Sequence, residues 1–169
     1  NISFSKLEQK LKKSKKSKTL PKALVLVHFA GNPVDSLKIK NLSKKYKFKI
    51  IEDASHALGA KTKHNKVGDC KFSDITVFSF HPVKMITTAE GGIATTNDKY
   101  YADQMRMLRT HGINYNKDNK LKNFLEPWYF DQQDLGFNYR MNDVEAALGI
   151  SQLRQLKRFV NERNKISKI

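Results

Sequence analysis

The run Ala23-Leu24-Val25-Leu26-Val27-His28-Phe29, the loop Ala30-Gly31-Asn32-Pro33, the segment Val34 to Lys47 and the run Phe48-Lys49-Ile50-Ile51-Glu52 together decide the fold. The first run is continuously apolar and of strand length, the pattern of a strand buried in a parallel sheet. Glycine and proline mark the loop that follows. Leu37, Ile39, Leu42 and Tyr46 then recur roughly at helical spacing, and Phe48 to Glu52 reads as a second strand. A strand, a helix and a strand joined by short connections predict a right-handed parallel crossover. Upstream, Ser5 to about Lys13 is expected to form a short amphipathic helix on Leu7 and Leu11, and Pro21 ends the polar stretch. Downstream, Ala57 to Ala60 leads into a polar loop holding Asn65 and Gly68. Ile75 to Phe80 is rich in β-branched and aromatic residues and reads as a third strand, and Gly92 to Thr96 as a fourth. A helix begins at Asp98 and runs through Arg109, with Tyr101, Met105 and Leu108 as its apolar stripe and Gly112 as its stop. The stretch from Ile113 to Asp134, with Pro127 and Trp128 inside, is a loop of a length that is usually functional. Asn142 caps a final helix from Asp143 towards the C-terminus. The class is α/β, a mostly parallel sheet with flanking helices.

Composition narrows the function classes. The chain has 169 residues, of which 39% are apolar, and it contains no run of about 20 apolar residues that would span a membrane. Cys70 is the only cysteine, so no internal disulfide forms, in keeping with a reducing cytoplasm. The formal charge of +16 raises the question of nucleic acid. Against it, the excess is mostly lysine spread from Lys6 to Lys168, and no zinc-finger spacing, RNP-like motif or helix-turn-helix accompanies it. Serines interrupt the densest run, Lys10 to Lys18, in the manner of a solvated helix end or loop. A basic surface also suits anionic ligands such as a cofactor phosphate or a nucleotide diphosphate. No metal site is expected.

Two segments carry chemistry. Ile50-Ile51-Glu52-Asp53-Ala54-Ser55-His56 ends an apolar run on a carboxylate; Val77-Phe78-Ser79-Phe80-His81-Pro82-Val83-Lys84 places a lysine just past another, after a hydroxyl and an imidazole. Open α/β sheets bind ligands at the carboxyl ends of their strands, which is where Asp53 falls. Alone it would read as a turn or helix-cap aspartate. Lys84 differs from the solvated lysines in following a buried strand outside any charged run; a lysine held near a cationic or apolar surface loses its proton and attacks an aldehyde. An acid, a lysine and small polar groups are the parts that hold pyridoxal 5'-phosphate.

These segments, with Thr87-Thr88-Ala89-Glu90-Gly91-Gly92, resemble the DegT/DnrJ/EryC1/StrS sugar-nucleotide aminotransferases, which have the aspartate aminotransferase fold (pyridoxal-phosphate fold type I). The likeness runs from Ala23 to Leu156 and is nearest to the pseudaminic-acid branch, through Ser79 to Gly92 and through Glu126-Pro127-Trp128-Tyr129-Phe130 and the segment Asp134 to Asp143. It implies that Lys84 holds the cofactor as a Schiff base and shuttles the proton, that Asp53 pairs with the pyridinium nitrogen, and that His56 hydrogen-bonds the phenolic oxygen. It implies further that Ser79 contacts the phosphate, that His81 lies near the substrate, and that Asn138 reaches the neighbouring subunit's cofactor phosphate across a homodimer. Strand alternation leaves the direction of Ser79 open, His81 reads equally as a packing residue, and Gly91-Gly92 as either a positive-φ turn or a close approach.

The resemblance thus predicts transamination of a UDP-linked 4-keto-6-deoxy amino sugar with glutamate as donor, in bacterial surface-glycan synthesis in the cytoplasm. Residues 1–142 are expected to be the central part of the cofactor-binding large domain, and 143–169 a helix leading to a small C-terminal domain. The family's opening phosphate loop and its ring-stacking aromatic are not found here and should precede residue 1, so the chain reads as an inactive middle part of a longer enzyme with open sheet edges and an uncovered apolar face. One rival is a same-fold sugar dehydratase, which has histidine at the position of Lys84; the other is a non-catalytic basic binding module.

Overall fold

The computed structural model describes residues 1–113 and 130–169, in two compact units, Asn1–Asn97 with Asn142–Ile169, and Asp98–Met141. The first unit holds a four-stranded sheet in the order β1-β2-β3-β4, formed by β1 (Ala23–Val27), β2 (Lys49–Asp53), β3 (Ile75–Ser79) and β4 (Gly92–Thr95). β1, β2 and β3 run parallel, with Val27 opposite Asp53 and Asp53 opposite Val77; β4 runs antiparallel to β3, with Ser79 opposite Gly92.

Helix α1 (Phe4–Lys16) is longer than its two leucines predict. Ser3 caps it, and Lys13, Lys15 and Lys16 fill its last turn, where cations meet the negative end of the helix dipole. Helix α2 (Ser36–Tyr46) starts two residues later than Val34, whose N–H donates to Nδ1 of His28 at 3.0 Å. Its stripe of Ile39, Leu42 and Tyr46 packs with Leu11, Leu26, Phe48 and Ile50 into one core; all seven are at most 5% exposed. Ala54, Ala57, Val67 and Phe78 form a second cluster beneath the loop that follows β2.

The apolar run of β1 is not buried on both faces as expected. Leu24 and Leu26 face the core, whereas Val25, Val27 and Val77 are 59%, 41% and 39% exposed. The helices α1 and α2 pack on one side of the strands, and the alternation of side chains leaves the other side to solvent.

The last helix, numbered α4 (Asp143–Ile166) in chain order, belongs to the same unit. A capping box starts it: Asn142 accepts from the Glu145 N–H, and the Glu145 carboxylate accepts from the Asn142 N–H. Leu156 and Val160 lie over Gly59, and Gly149 lies against Thr88, so the helix rests on the loops that leave β2 and β3. No helix among the described residues is long and apolar enough to cross a membrane.

The second unit carries α3 (Lys99–Leu108), capped by Asp98 on the Tyr100 and Tyr101 N–H groups. Two isolated bridges, Thr110 with Asn138 and Ile113 with Gln132, tie its returning segment, and Phe137 and Tyr139 stack at 4.8 Å. Glu126, Pro127, Trp128 and Tyr129 lie outside the described residues.

Candidate active site

Three parallel strands send their outgoing loops from one edge of the sheet. Asp53 is the last residue of β2 and sits at that edge. The chain turns sharply after it, and Oδ1 accepts from the Ser55 hydroxyl at 2.6 Å and from the Ser55 N–H at 3.1 Å. The Ser55 hydroxyl is the main reason that the Asp53 carboxyl stays below its ordinary range. Partial burial opposes this more weakly; the Ser55 N–H and then the charges of His56 and Lys84 add to it. Asp53 is thus a carboxylate with both an imidazole and an amine in its field.

His56 follows three residues on. Its Nδ1 accepts from the Ala30 N–H at 3.3 Å, and its ring meets Phe29 edge-on at 6.3 Å. The ring proton is therefore on Nε2, placed to be donated. Gly31 makes this crossing of loops feasible. It has φ +78°, and a Cβ there would stand 2.8 Å from the His56 carbonyl oxygen.

The segment after β3 is closed on itself. Phe80 N–H donates to the Gly91 carbonyl and Thr88 N–H to the Phe80 carbonyl, both at 2.9 Å, while the buried Thr88 hydroxyl donates to the Glu90 carbonyl. Within it a tight turn, Lys84 N–H to His81 carbonyl at 2.9 Å, sets the lysine half-buried. The glycine pair serves both purposes open to it: Gly91 has φ +135°, and a Cβ on Gly92 would stand 2.6 Å from the Phe78 carbonyl.

His56 and Lys84 line one cavity of about 1130 Å³, with Asn32, Lys61, Arg163 and Asn164. Its lining among the described residues contains no aspartate or glutamate, so it favours an anion. Ser79 ends β3, half-buried; its Oγ accepts from the His81 N–H at 3.3 Å, which leaves the hydroxyl proton to be donated. His81 is exposed, and neither it nor Ser79 lines that cavity. Asn138 is exposed in the second unit. Asp53, His56 and Lys84 thus come together, and their donor set fits pyridoxal phosphate: an anion for a ring nitrogen, an N–H for a phenolic oxygen, an amine for an aldehyde.

Behind Asp53 lies a cluster that the sequence reading passed over. Glu52 is 1% exposed; its Oε1 accepts from the Ser36 hydroxyl at 2.6 Å and its Oε2 from the Thr76 hydroxyl at 2.7 Å. Nε2 of His28, also 1% exposed, faces Oε1 at 3.7 Å. Burial pulls the Glu52 carboxyl upward, but the polar contacts from His28, Ser36 and Thr76 outweigh it and hold the group below its ordinary range. The usable signal was a glutamate at an inward position of a predicted strand, since such a residue requires partners.

Asp74 is lowered too: burial opposes, while the Ile50 N–H, at 2.8 Å, and nearby lysines prevail. A carboxylate depressed in the folded state stabilises above its unfolded value and loses that contribution as pH falls through the folded one. These carboxylates should therefore contribute their full stabilisation above about pH 5 and lose it progressively below about pH 4.5. Glu52→Gln should flatten that loss in denaturant titrations run at a series of pH values; an unchanged acid limb would show that Glu52 is not depressed.

The model of the DegT/DnrJ/EryC1/StrS aminotransferase family matches residues 1–169. A "UDP-4-amino-4,6-dideoxy-N-acetyl-beta-L-altrosamine transaminase" of Campylobacter jejuni is 45% identical over 167 residues, which is 99% of this chain and 41% of that protein. The chain therefore spans about two fifths of the length of that relative. Among solved structures, the Helicobacter pylori PseC, "aminotransferase involved in the biosynthesis of pseudoaminic acid", superposes with a TM-score of 0.71 at 37% identity, over 80% of this chain and 34% of that one. The sugar aminotransferase Spr1654 of Streptococcus pneumoniae, described as putative and solved in its PLP-form, gives 0.72 at 28% identity, over 87% and 40%.

Proposed function

The chain belongs to the DegT/DnrJ/EryC1/StrS aminotransferase family, and from that premise we propose that it is the central part of a cytoplasmic pyridoxal-phosphate-dependent aminotransferase acting on a UDP-linked 4-keto-6-deoxy amino sugar. Glutamate is the donor in this reading, and the product serves a bacterial surface glycan. Residues 1–142 belong to the large domain and 143–169 lead towards a small C-terminal domain. The carrying observation is the set of Asp53, His56 and Lys84 at the carboxyl ends of the sheet's parallel strands. The printed functions of the Campylobacter and Helicobacter relatives support the substrate class.

Bound pyridoxal phosphate supplies the electron sink that makes a carbon next to nitrogen acidic. The residues do the rest. Lys84 would hold the cofactor through its amine and, as general base and acid, would move the proton between the two carbons. The Asp53 carboxylate holds the ring nitrogen protonated. His56 would donate Nε2–H to the phenolic oxygen, and the Ser79 hydroxyl would donate to the phosphate. His81, exposed beyond β3, would contact substrate in this reading. Lys84 also weighs against the dehydratase branch, where a histidine stands instead.

The reading is tested by supplying a UDP-4-keto-6-deoxy amino sugar and glutamate to the full-length protein and following 2-oxoglutarate. Steady release of 2-oxoglutarate with an aminated sugar is expected. Dehydration of the sugar without consumption of glutamate would overturn it.

The partner role of Asn138 has its own test. Subunits with Lys84→Ala and subunits with Asn138→Ala should each be inactive or weak alone. Co-expressed, they should regain activity, because each mixed dimer then holds one site with an intact lysine and an intact partner asparagine. No regain would place Asn138 in its own subunit's site.

A further inference from the structure

We propose that Glu52 and His28 form a buried pair that positions Asp53, acting through the carboxyl ends of β1 and β2 rather than by any contact with the reactants. The inference rests on the reading of Asp53 as the partner of the cofactor's ring nitrogen. It starts from an energetic oddity. A carboxylate and an imidazole, each 1% exposed, are expensive to bury, and hydrophobic replacements of such groups are often no less stable. Their cost is spent directly behind Asp53.

The geometry shows what they hold. Strand alternation points Glu52 into the core and Asp53 to the opposite face. Glu52 is tied to three other elements at once: Ser36 at the start of α2, Thr76 on β3, and His28 at the end of β1. His28 in turn accepts the Val34 N–H at Nδ1, so its proton lies on Nε2, facing Glu52. That nitrogen has no partner within hydrogen-bond distance among the described residues; Glu52 is its nearest charge. The His28 N–H donates to the Asp53 carbonyl at 3.0 Å, and the Ala54 N–H to the Val77 carbonyl at 2.8 Å. The single peptide group between Asp53 and Ala54 is therefore held from both sides, its carbonyl by His28 just past β1 and its N–H by Val77 on β3, and Glu52, the residue before Asp53, ties the same strand end through its side chain. The loop from Phe29 to Pro33, which carries the Ala30 contact to His56, leaves directly from His28.

The experiment uses the full-length protein with Glu52→Gln and Thr76→Val, each alone and combined with Asp53→Asn. Glu52→Gln should lower kcat by about 10–100-fold, the range seen when groups that orient a metal ligand are removed. Thr76→Val, which removes one hydroxyl without disturbing charge, should lower it by about 2–10-fold. In the Asp53→Asn background both effects should shrink to within about 2-fold, because residues acting through one group are not additive. In the cofactor-free protein, amide exchange at His28 and Ala54 should quicken in both variants while Ile50 keeps its protection. Equal losses in both backgrounds, or exchange that quickens at Ile50 as much as at Ala54, would overturn the proposal and leave the pair a plain stabiliser. If Glu52→Gln does not fold, Thr76→Val decides by the same criteria. If Asp53→Asn alone turns over normally, the reading of Asp53 fails, whereas the exchange pattern still reports on the pair.

Discussion

Replacing Lys84 by alanine in the full-length protein should leave a folded enzyme that binds pyridoxal phosphate reversibly, loses the cofactor on dialysis and turns over at least about 10⁴-fold more slowly, the scale of loss when a catalytic nucleophile is removed. The expectation follows from how the lysine is presented. The segment from Phe80 to Gly91 is closed at both ends by backbone hydrogen bonds, and a further turn from His81 fixes the Lys84 backbone. Its amine lies in the field of the Asp53 carboxylate and at a cavity lined by cations, so it is built into the sheet edge beside the acid. Lys84 is half-buried and its turn is held by main-chain groups, which the substitution leaves in place. Absorbance of the loaded protein and steady-state rates check it. A variant that keeps more than about a tenth of the activity would move the reaction to another lysine.

Asp53→Asn should lower transamination by about 10²–10³-fold, the loss expected when one preorganised charge is removed from the reacting centre. The amide keeps the shape and still accepts from Ser55 N–H and the Ser55 hydroxyl, the two contacts that set the side chain's direction. What it loses is the charge that holds a proton on the ring nitrogen. Cofactor binding should therefore fall far less than kcat, since Lys84, His56 and Ser79 remain. Measured dissociation constants for the cofactor beside kcat separate the two. Equal losses in both would make Asp53 a binding residue only, and near-normal turnover would place the nitrogen's partner elsewhere.

The sheet was legible because its strands are short apolar or β-branched runs separated by glycine, proline and polar stretches, and because the path from Val27 to Lys49 is long enough to hold a helix between two short loops, the pattern of a parallel crossover. The direction of β4 was not read. The connection from Ser79 to Gly92 is a closed hydrogen-bonded loop with no helix, and it returns the chain antiparallel. Lys84 and Asp53 stood out through local context, each just past a strand, where the chain end of an apolar run meets an ionisable group. His28 and Glu52 did not, since their significance depends on strand register: only when Leu26 pairs with Glu52 and Val27 with Asp53 do the imidazole and the carboxylate meet. The cavity's cations were illegible for a similar reason. Lys61 and Arg163 are a hundred residues apart in sequence, and what joins them is Leu156 and Val160 of α4 resting on Gly59. The exposed face of β1 also escaped the reading, because an unbroken apolar run carries no mark of which side is covered.

The central claim is that Lys84 carries the cofactor. The full-length protein, loaded with pyridoxal phosphate, is reduced with borohydride, digested and mapped by mass spectrometry. The account predicts one pyridoxyl-modified peptide, with the label on Lys84. A label on any of the other lysines, or a protein that binds the cofactor but takes up no label, would contradict it.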